Sequence, residues 1–196
     1  MSDEPLVSVV LIGFNDVGRI GRALESIRRQ TLRSIEIIVV DDASTDGTAE
    51  FVESVAVNDS RIRLLTRADN SGGCSAPRND GLRMARAPWV MFCDSDDEYD
   101  LHACATLLRA AEDWNADVVC GTAIRHDVAR ARDKRWRPEL HAADRLISSL
   151  AQEPQWCANG VRMELTDARV EDLLRSLNNA PSASDSASDS ASDSAS

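Results

Sequence analysis

The 196-residue sequence lacks an excess of basic residues, and this absence excludes one class of function. It has 22 lysine and arginine residues against 33 aspartate and glutamate residues, which gives a formal net charge of −11. Proteins that bind nucleic acid non-specifically need a positively charged surface facing the phosphate backbone. We therefore expect no nucleic-acid partner, and the simplest role of the acidic excess is solubility.

Cysteine is scarce, and its spacing excludes two kinds of site. The five cysteines form no Cys-x-x-Cys pair, so the sequence predicts neither a zinc site nor a redox motif. Several of them stand in apolar runs, where a thiol packs as a small apolar group. A reducing compartment is the simpler interpretation.

A long apolar segment is missing as well. The run from Leu6 to Phe14 is too short to span a bilayer. The residues before it are acidic, whereas a signal peptide begins with a basic region. We expect no direct membrane insertion and a cytoplasmic location, with peripheral attachment through a partner left open.

The first two-thirds of the sequence alternates predicted strands and helices. β-branched runs such as Val7–Ile12 are typical of strands covered on both faces, and the apolar residues of Arg19–Arg29 recur with helical spacing. This alternation predicts an α/β domain with a mainly parallel sheet and flanking helices. The other predicted strands are Ile35–Val40, Arg61–Leu65, Trp89–Cys93 and Asp117–Gly121, and the other predicted helices are Thr48–Ala56, Ser75–Arg86 and Leu101–Trp114.

The pattern weakens after Gly121. Asp127–Arg137 is charged and without a clear period, and His141–Leu150 is predicted as one more helix. From Pro181 the sequence repeats Ser-Ala-Ser-Asp without a large apolar residue, so we expect that tail to be disordered. The predicted organisation is an α/β core at 1–125, a less regular region at 126–180 and a disordered tail at 181–196.

Polar clusters follow three of the predicted strands: Asn15-Asp16, Asp41-Asp42 and Asp94-Ser95-Asp96-Asp97. In parallel α/β sheets ligands bind at the carboxyl ends of the strands. The third cluster is the most informative, because adjacent carboxylates repel one another unless a cation lies among them. Hard divalent cations bind through one or two carboxylates together with substrate phosphates. The alternative is that these acids favour the N-terminus of the next helix.

Two further stretches have both a structural and a functional interpretation. In Asp41–Thr48 the residues Ser44-Thr45-Asp46-Gly47 are typical of a strand-to-helix turn, but a turn does not require two adjacent acids after a buried strand. In Asn70–Gly81 the glycines permit close approach to a ligand, and Arg78 is a suitable partner for a phosphate or a base carbonyl. A loop with a solvated arginine is the alternative.

Taken in order, these motifs resemble glycosyltransferase family 2, with the Rossmann-like GT-A fold. The resemblance covers about Leu6 to Gly121 and rests on Phe14-Asn15, the Asp-Asp-x-Ser-x-Asp-Gly-Thr turn, Asn-x-Gly…Ala-x-Arg-Asn-x-Gly and Asp-Ser-Asp-Asp. It implies transfer of a sugar from a nucleotide-diphosphate donor to an acceptor hydroxyl, with inversion, a divalent metal (manganese or magnesium) and a place in cell-envelope or polysaccharide biosynthesis. By the same resemblance 1–125 is a nucleotide-sugar-binding core and 126–180 a partial or degenerate acceptor-side region. The resemblance also implies that the nucleotide sugar is bound by Phe14, Asn15, Asp42, Arg78, Asp94 and Ser95, and the metal by Asp94 and Asp96.

The sequence departs from the family pattern at two places. Gly13-Phe14-Asn15 stands where the family often has proline and tyrosine, which affects base contacts there. The family's catalytic base, an aspartate usually in a Glu-Asp pair, has no clear counterpart, so the base is unknown. Asp172 is the candidate, although Arg169–Leu174 is also typical of an amphipathic helix with exposed acids. The change of composition after Trp156 suggests a truncation or a change of reading frame, which resequencing the coding DNA would test.

Two other functions stay open at this point. Without an acceptor-side half, the chain is a nucleotide-sugar-binding module that performs no transfer. A dinucleotide-dependent oxidoreductase is disfavoured, because Gly13 lies too far from Gly18-x-x-Gly21 to complete Gly-x-Gly-x-x-Gly.

Overall fold

The computed structural model describes residues 4–127, 132–135 and 163–164. In chain order the elements are β1 (Val7–Gly13), α1 (Ile20–Arg28), β2 (Ile35–Asp41), α2 (Thr48–Ala56), β3 (Ile62–Thr66), α3 (Ser75–Met84), β4 (Trp89–Asp94), α4 (Ala103–Asp113), β5 (Ile124–Asp127), β6 (Arg132–Arg135) and β7 (Met163–Glu164). These residues lie within one compact unit, Met1–Glu164. The predicted boundaries after 125 and 180 stay predictions.

The main sheet has the order β3-β2-β1-β4-β7. The first four of these strands are parallel, and β7 pairs antiparallel with β4. β5 and β6 form a separate antiparallel pair. The predicted α/β class with a mainly parallel sheet is therefore confirmed.

Helices cover both faces of the two central strands, whose residues are all buried. On one face, Val9 and Leu11 pack in a common core with the buried side of α1. On the other face, Val10 and Val40 contact α3 at Gly81, where an added Cβ would clash with Val10 Cγ1. Successive strand residues point to opposite faces, so the continuous apolar runs of β1 and β2 follow from this double covering.

The predicted strand at Asp117–Gly121 is wrong. Those residues lie outside any strand, and the next strand begins at Ile124. Val118 and Val119 are only half-buried. A strand requires a hydrogen-bonded neighbour, and the edge of β4 that a fifth parallel strand would occupy pairs with β7 instead. The predicted helix at His141–Leu150 lies outside the described residues.

Candidate active site

The carboxyl ends of the parallel strands enclose a cleft of about 460 Å³. Its lining comes from the turns after β1, β2 and β4 and from the loop that precedes α3. The lining residues are Ile12, Gly13, Phe14, Asp16, Asp42, Asn70, Gly72, Gly73, Cys74, Pro77, Asp94, Ser95 and Asp96. Five of the predicted site residues thus line one cavity: Phe14, Asp42, Asp94, Ser95 and Asp96. Asn15 and Arg78 are not among its lining residues.

Asn15 holds two turns together. Its backbone has a φ of 51°, a left-handed conformation in which asparagine is enriched. Its amide N–H donates to Ser44 Oγ at 2.8 Å, and its Oδ1 accepts from the Thr45 amide at 2.8 Å. Neighbouring Phe14 is 44% exposed and lines the cleft, so it offers an aromatic surface to a ligand.

Asp42 holds the glycine-rich loop, residues 70–74, in place by hydrogen bonds. Its Oδ2 accepts from Asn70 Nδ2 at 3.1 Å, from the Ser71 amide at 3.0 Å and from Ser71 Oγ at 2.7 Å. Its Oδ1 lies 3.2 Å from Arg67 Nη1 in an ion pair that is not aligned as a hydrogen bond. The sequence showed Asn70 and Ser71 only as part of the glycine-containing stretch Asn70–Gly81, and it gave no signal for Arg67.

The turn between β2 and α2 is the strand-to-helix turn that its composition predicts. Asp46 accepts from the amides of Val17 and Thr48, each at 3.0 Å. The hydrogen bond from the Thr48 hydroxyl, followed by that from the Val17 amide, lowers the pKa of Asp46. Asp41 accepts from the Ser44 amide at 3.0 Å. These bonds account for the Ser-Thr-Asp-Gly part of the motif.

The acidic turn, Asp94-Ser95-Asp96-Asp97, begins at the last residue of β4, and its first three residues line the cleft. Ser95 is buried, whereas Asp94 is half-buried and Asp96 is exposed. α4 begins only at Ala103 and has no acid in its first turn. The alternative that these acids serve a helix N-terminus is therefore wrong.

Arg78 neutralises the first acid of this turn. Its Nη2 donates to Asp94 Oδ1 at 2.6 Å and to Oδ2 at 2.9 Å. The arginine extends from α3, and its Nη1 lies 3.4 Å from Cys74 Sγ. The interpretation of Arg78 as a solvated loop residue is therefore wrong in this structure.

The electrostatic potential around the acidic turn remains negative despite the charge of Arg78. Burial raises the pKa of Asp97, and the charges of Asp96 and Asp94 raise it further. Burial and the same acids raise the pKa of the Cys93 thiol. Proximity of a cation would relieve this repulsion.

Asp16 is a cleft residue for which sequence reasoning found no role. It is 9% exposed, and its Oδ2 accepts a hydrogen bond from Ser95 Oγ. Its Oδ1 accepts from Arg19 Nε at 2.8 Å and from Arg19 Nη2, and its backbone N–H donates to Thr48 Oγ1 at 3.0 Å. The signal was its position directly after Asn15 at the end of β1.

The donor set fits a divalent cation only in part. Within the described residues no three His, Cys, Asp or Glu side chains are grouped as metal ligands. Asp94 and Asp96 supply hard oxygen atoms at the cleft, and a cation that binds a nucleoside diphosphate takes its other ligands from phosphate and water. Two carboxylates therefore suit a cation that binds together with the diphosphate.

Other predictions fall outside this site. Asp172 and the Glu171-Asp172 pair lie outside the described residues. In the part of the chain that is described, no helix combines the length and apolar character needed to cross a membrane.

The chain resembles known glycosyltransferases in sequence and in structure. The family model for glycosyl transferase family 2 matches residues 8–169. A glycosyltransferase of Streptococcus pneumoniae serotype 4, GlyG, is 34% identical over 122 residues, which are 62% of this chain and 40% of that protein. A poly(ribitol-phosphate) β-N-acetylglucosaminyltransferase of Staphylococcus aureus, TarP, is 34% identical over 117 residues, or 59% of this chain and 36% of the relative.

Two solved structures also match the chain. S. aureus TarS 1–349 in complex with UDP-GlcNAc matches with a TM-score of 0.54 and 32% identity, over 57% of this chain and 32% of that one. The mannosyltransferase PcManGT of Pyrobaculum calidifontis, in complex with GDP-Man and Mn²⁺, matches with a TM-score of 0.56 and 25% identity, over 61% of this chain and 36% of that one. The chain covers less than half the length of each of these four proteins.

Proposed function

The chain belongs to glycosyl transferase family 2, and from that premise we propose that it transfers a sugar from a nucleoside-diphosphate donor to an acceptor hydroxyl. One observation carries the proposal. Side chains from four separate motifs, which are far apart in the sequence, line one cleft at the carboxyl edge of the parallel sheet or contact its lining. Ligands of α/β sheets bind at this edge.

In this proposal the nucleoside binds beside the carboxyl ends of β1 and β2. Phe14 offers its exposed ring to the base, and Asp42 also lines the cleft. Asn15 acts by holding the turn that carries Phe14, because both its amide and its side chain are bonded to the β2–α2 turn. Asp94 faces the ribose, and Arg78 stands beside it with charge for the diphosphate.

We also propose that the reaction depends on a divalent metal, manganese or magnesium, held by Asp94 and Asp96. The oxygen donors and the negative field around Asp97 support this assignment. The metal would supply positive charge that stabilises the departing diphosphate. Binding of the donor frees Asp94 once the phosphates attract Arg78, since a guanidinium pairs with phosphate as well as with carboxylate.

Transfer with inversion, and its need for a general base on the acceptor side, are further parts of the proposal that rest on family resemblance. The acceptor is a glycan, a lipid or a polymer. A cytoplasmic location with peripheral attachment through a partner likewise stays a proposal.

A second candidate function is donor binding without transfer. The observation that favours it is the position of the cleft residues, which all lie between Ile12 and Asp96, in the part of the sequence that carries the expected donor-binding motifs. The two functions differ in turnover. Release of free sugar from a bound donor, with water as the acceptor, would support an active site, whereas binding without release would support the second function.

The decisive experiment is a thermal-shift panel with UDP, GDP, CDP and dTDP, each with and without Mn²⁺. A ligand at about a hundred times its Kd adds about 2.7 kcal/mol to the free energy of unfolding. We expect a metal-dependent shift for one nucleotide, and we expect Asp96→Ala to lose it while its melting temperature without ligand stays that of the wild type.

The matched control is Asp113→Ala. Asp113 is an exposed acid on α4 that forms an ion pair with Arg109, away from the cleft. This variant should keep the full ligand shift. A cooperative melt with no shift for any of the four nucleotides would contradict the proposed function.

A further inference from the structure

A hydrogen bond between Asp16 and Ser95 joins the segments that follow β1 and β4, and both residues line the cleft. Ser95 is the middle residue of Asp94-Ser95-Asp96, and its hydroxyl donates to Asp16 Oδ2 across 79 residues of sequence. Asp16 is therefore more than a local partner of Arg19. Its carboxylate accepts from Arg19, the residue before α1, and from Ser95 in the acidic turn.

The packing around Ser95 leaves it little freedom. Ser95 is 6% exposed, and an added Cβ at Gly13 would lie 3.3 Å from Ser95 Cβ. The lack of a side chain at Gly13 therefore gives Ser95 the room to reach Asp16. A backbone bond from the Asp97 amide to the Asp94 carbonyl, at 3.0 Å, closes the turn around it.

This arrangement directs the two flanking carboxylates. With Ser95 turned into the protein, Asp94 and Asp96 on either side of it are left half-buried and exposed, and all three line the cleft. Groups that hold metal ligands in place are themselves important for affinity, and their loss costs about 10- to 100-fold in metal binding or activity.

We infer that Asp16 is a positioning residue that acts through Ser95 to fix the acidic turn for a cation and a diphosphate. The inference rests on the proposed function and revises the expected role of Ser95. Its hydroxyl is committed to Asp16, so Ser95 contributes to donor binding by orienting its neighbours.

The test measures Mn²⁺ affinity in the presence of the nucleoside diphosphate that stabilises the wild type, with the electron paramagnetic resonance signal of free Mn²⁺ as the readout. Ser95→Ala should weaken Mn²⁺ binding by about tenfold or more. Binding of the same nucleotide without metal should change much less, and that split distinguishes positioning of the turn from general damage.

A double-mutant cycle tests whether Asp16 acts through Ser95. Asp16→Ala and Ser95→Ala should each weaken Mn²⁺ binding, and the double variant should be little worse than either one, because both remove the same link. If the two losses multiply, Asp16 does not act through Ser95 and the inference is wrong.

Two more variants separate the alternatives. Arg19→Ala removes the other partner of Asp16 and should leave Mn²⁺ affinity within about twofold of the wild type; a loss equal to that of Asp16→Ala would assign the effect to α1 instead. Ser54→Ala is the matched control, because its hydroxyl bonds only within α2, to the Phe51 carbonyl at 2.6 Å. Should Ser95→Ala not fold, Asp16→Ala carries the same test, because it removes the acceptor of the Ser95 hydroxyl.

Failure of the inference and of the proposed function give different results. A wild-type chain that binds no Mn²⁺ with any of the four nucleotides would overturn both. Wild-type binding with unchanged affinity in Ser95→Ala would overturn the inference alone.

Discussion

The two ends of β2 carry buried acids that differ in how completely they are bonded. Near its start, Glu36 accepts from Ser8 Oγ at 2.6 Å, from the Arg86 amide at 2.7 Å, from Arg86 Nε at 3.0 Å and from Arg63 Nη1 at 3.2 Å. At its other end, Asp41 Oδ1 and Asp42 Oδ1 are buried without a hydrogen-bond partner in the described part of the chain.

This difference separates an acid whose two oxygens both hold neighbouring elements from two acids that each keep one oxygen without a hydrogen bond, and of these two Asp42 lines the cleft. A buried carboxylate with a full set of donors holds neighbouring elements in place. Unsatisfied polar atoms cost free energy, and natural proteins retain such cost mainly where function requires it. The same strand therefore serves stability at its amino end and the cleft at its carboxyl end.

The largest expected effect is at the Glu36 end. Glu36→Ala leaves the Ser8 hydroxyl and the Arg86 amide without their acceptor and removes one of the two acceptors of Arg63 Nη1. Loss of one partner from a buried charge network costs about 3 kcal/mol. We expect urea denaturation to show this loss, while the nucleotide Kd of the folded protein stays unchanged. Glu53→Ala, at an exposed position of α2, should stay within about 0.5 kcal/mol of the wild type. A changed Kd in Glu36→Ala would show that the two ends are coupled.

Gly81→Ala should affect both ends, since α3 packs on the strand between them. The new methyl group would clash with Val10 and lie 3.2 Å from Val40 Cγ2. Overpacking costs about 1–3 kcal/mol, against about 1 kcal/mol gained in helix propensity. We expect a lower urea midpoint together with weaker nucleotide binding, because α3 also carries Arg78. Gly18→Ala meets no atom within 4 Å and should keep the wild-type values; equal stability of both variants would show that α3 moves freely.

Arg78→Ala should give the opposite pattern to Glu36→Ala. Arg78 and Asp94 are 35% and 40% exposed, and an ion pair this accessible contributes less than about 1 kcal/mol to stability. We expect the nucleotide Kd to rise about tenfold, which is about 1.4 kcal/mol, as measured by calorimetric titration. Arg109→Ala breaks an exposed pair on α4 and serves as the control. A large loss of stability with an unchanged Kd would make Arg78 structural.

Acid should weaken the Glu36 end by a smaller amount. Burial acts to raise the pKa of Glu36, but the hydrogen bonds from Ser8 and Arg86 outweigh it and hold the pKa below the ordinary value of 4.5. The carboxylate therefore contributes stability that is complete above about pH 4.5 and is lost as the pH falls through its lowered pKa. The stability difference between wild type and Glu36→Gln should be constant from pH 6 to about pH 4.5 and should shrink below about pH 4.5 in urea titrations. A difference that also stays constant at lower pH would contradict this account.

The sequence predicted the parts of the fold that depend on local pattern. Val7–Ile12 and Ile35–Val40 are apolar throughout because both faces of the sheet are covered, and the structure confirms both strands. The strand predicted at Asp117–Gly121 was wrong because the apolar pair Val118-Val119 does not by itself supply a neighbouring strand. The bonds of Asp16 and Arg67 were also hidden, because each reaches a partner far away in the sequence.

The bond between Asp16 and Ser95 also has a consequence in time. The ribosome adds about 5–20 residues per second, so the 79 residues between these two positions take about 4 to 16 s to make. β1 can pair with β2 well before then, but its other edge stays unpaired until β4 has been synthesised. During synthesis that unpaired apolar edge is open to wrong partners, and the cleft is among the last features of the sheet to assemble.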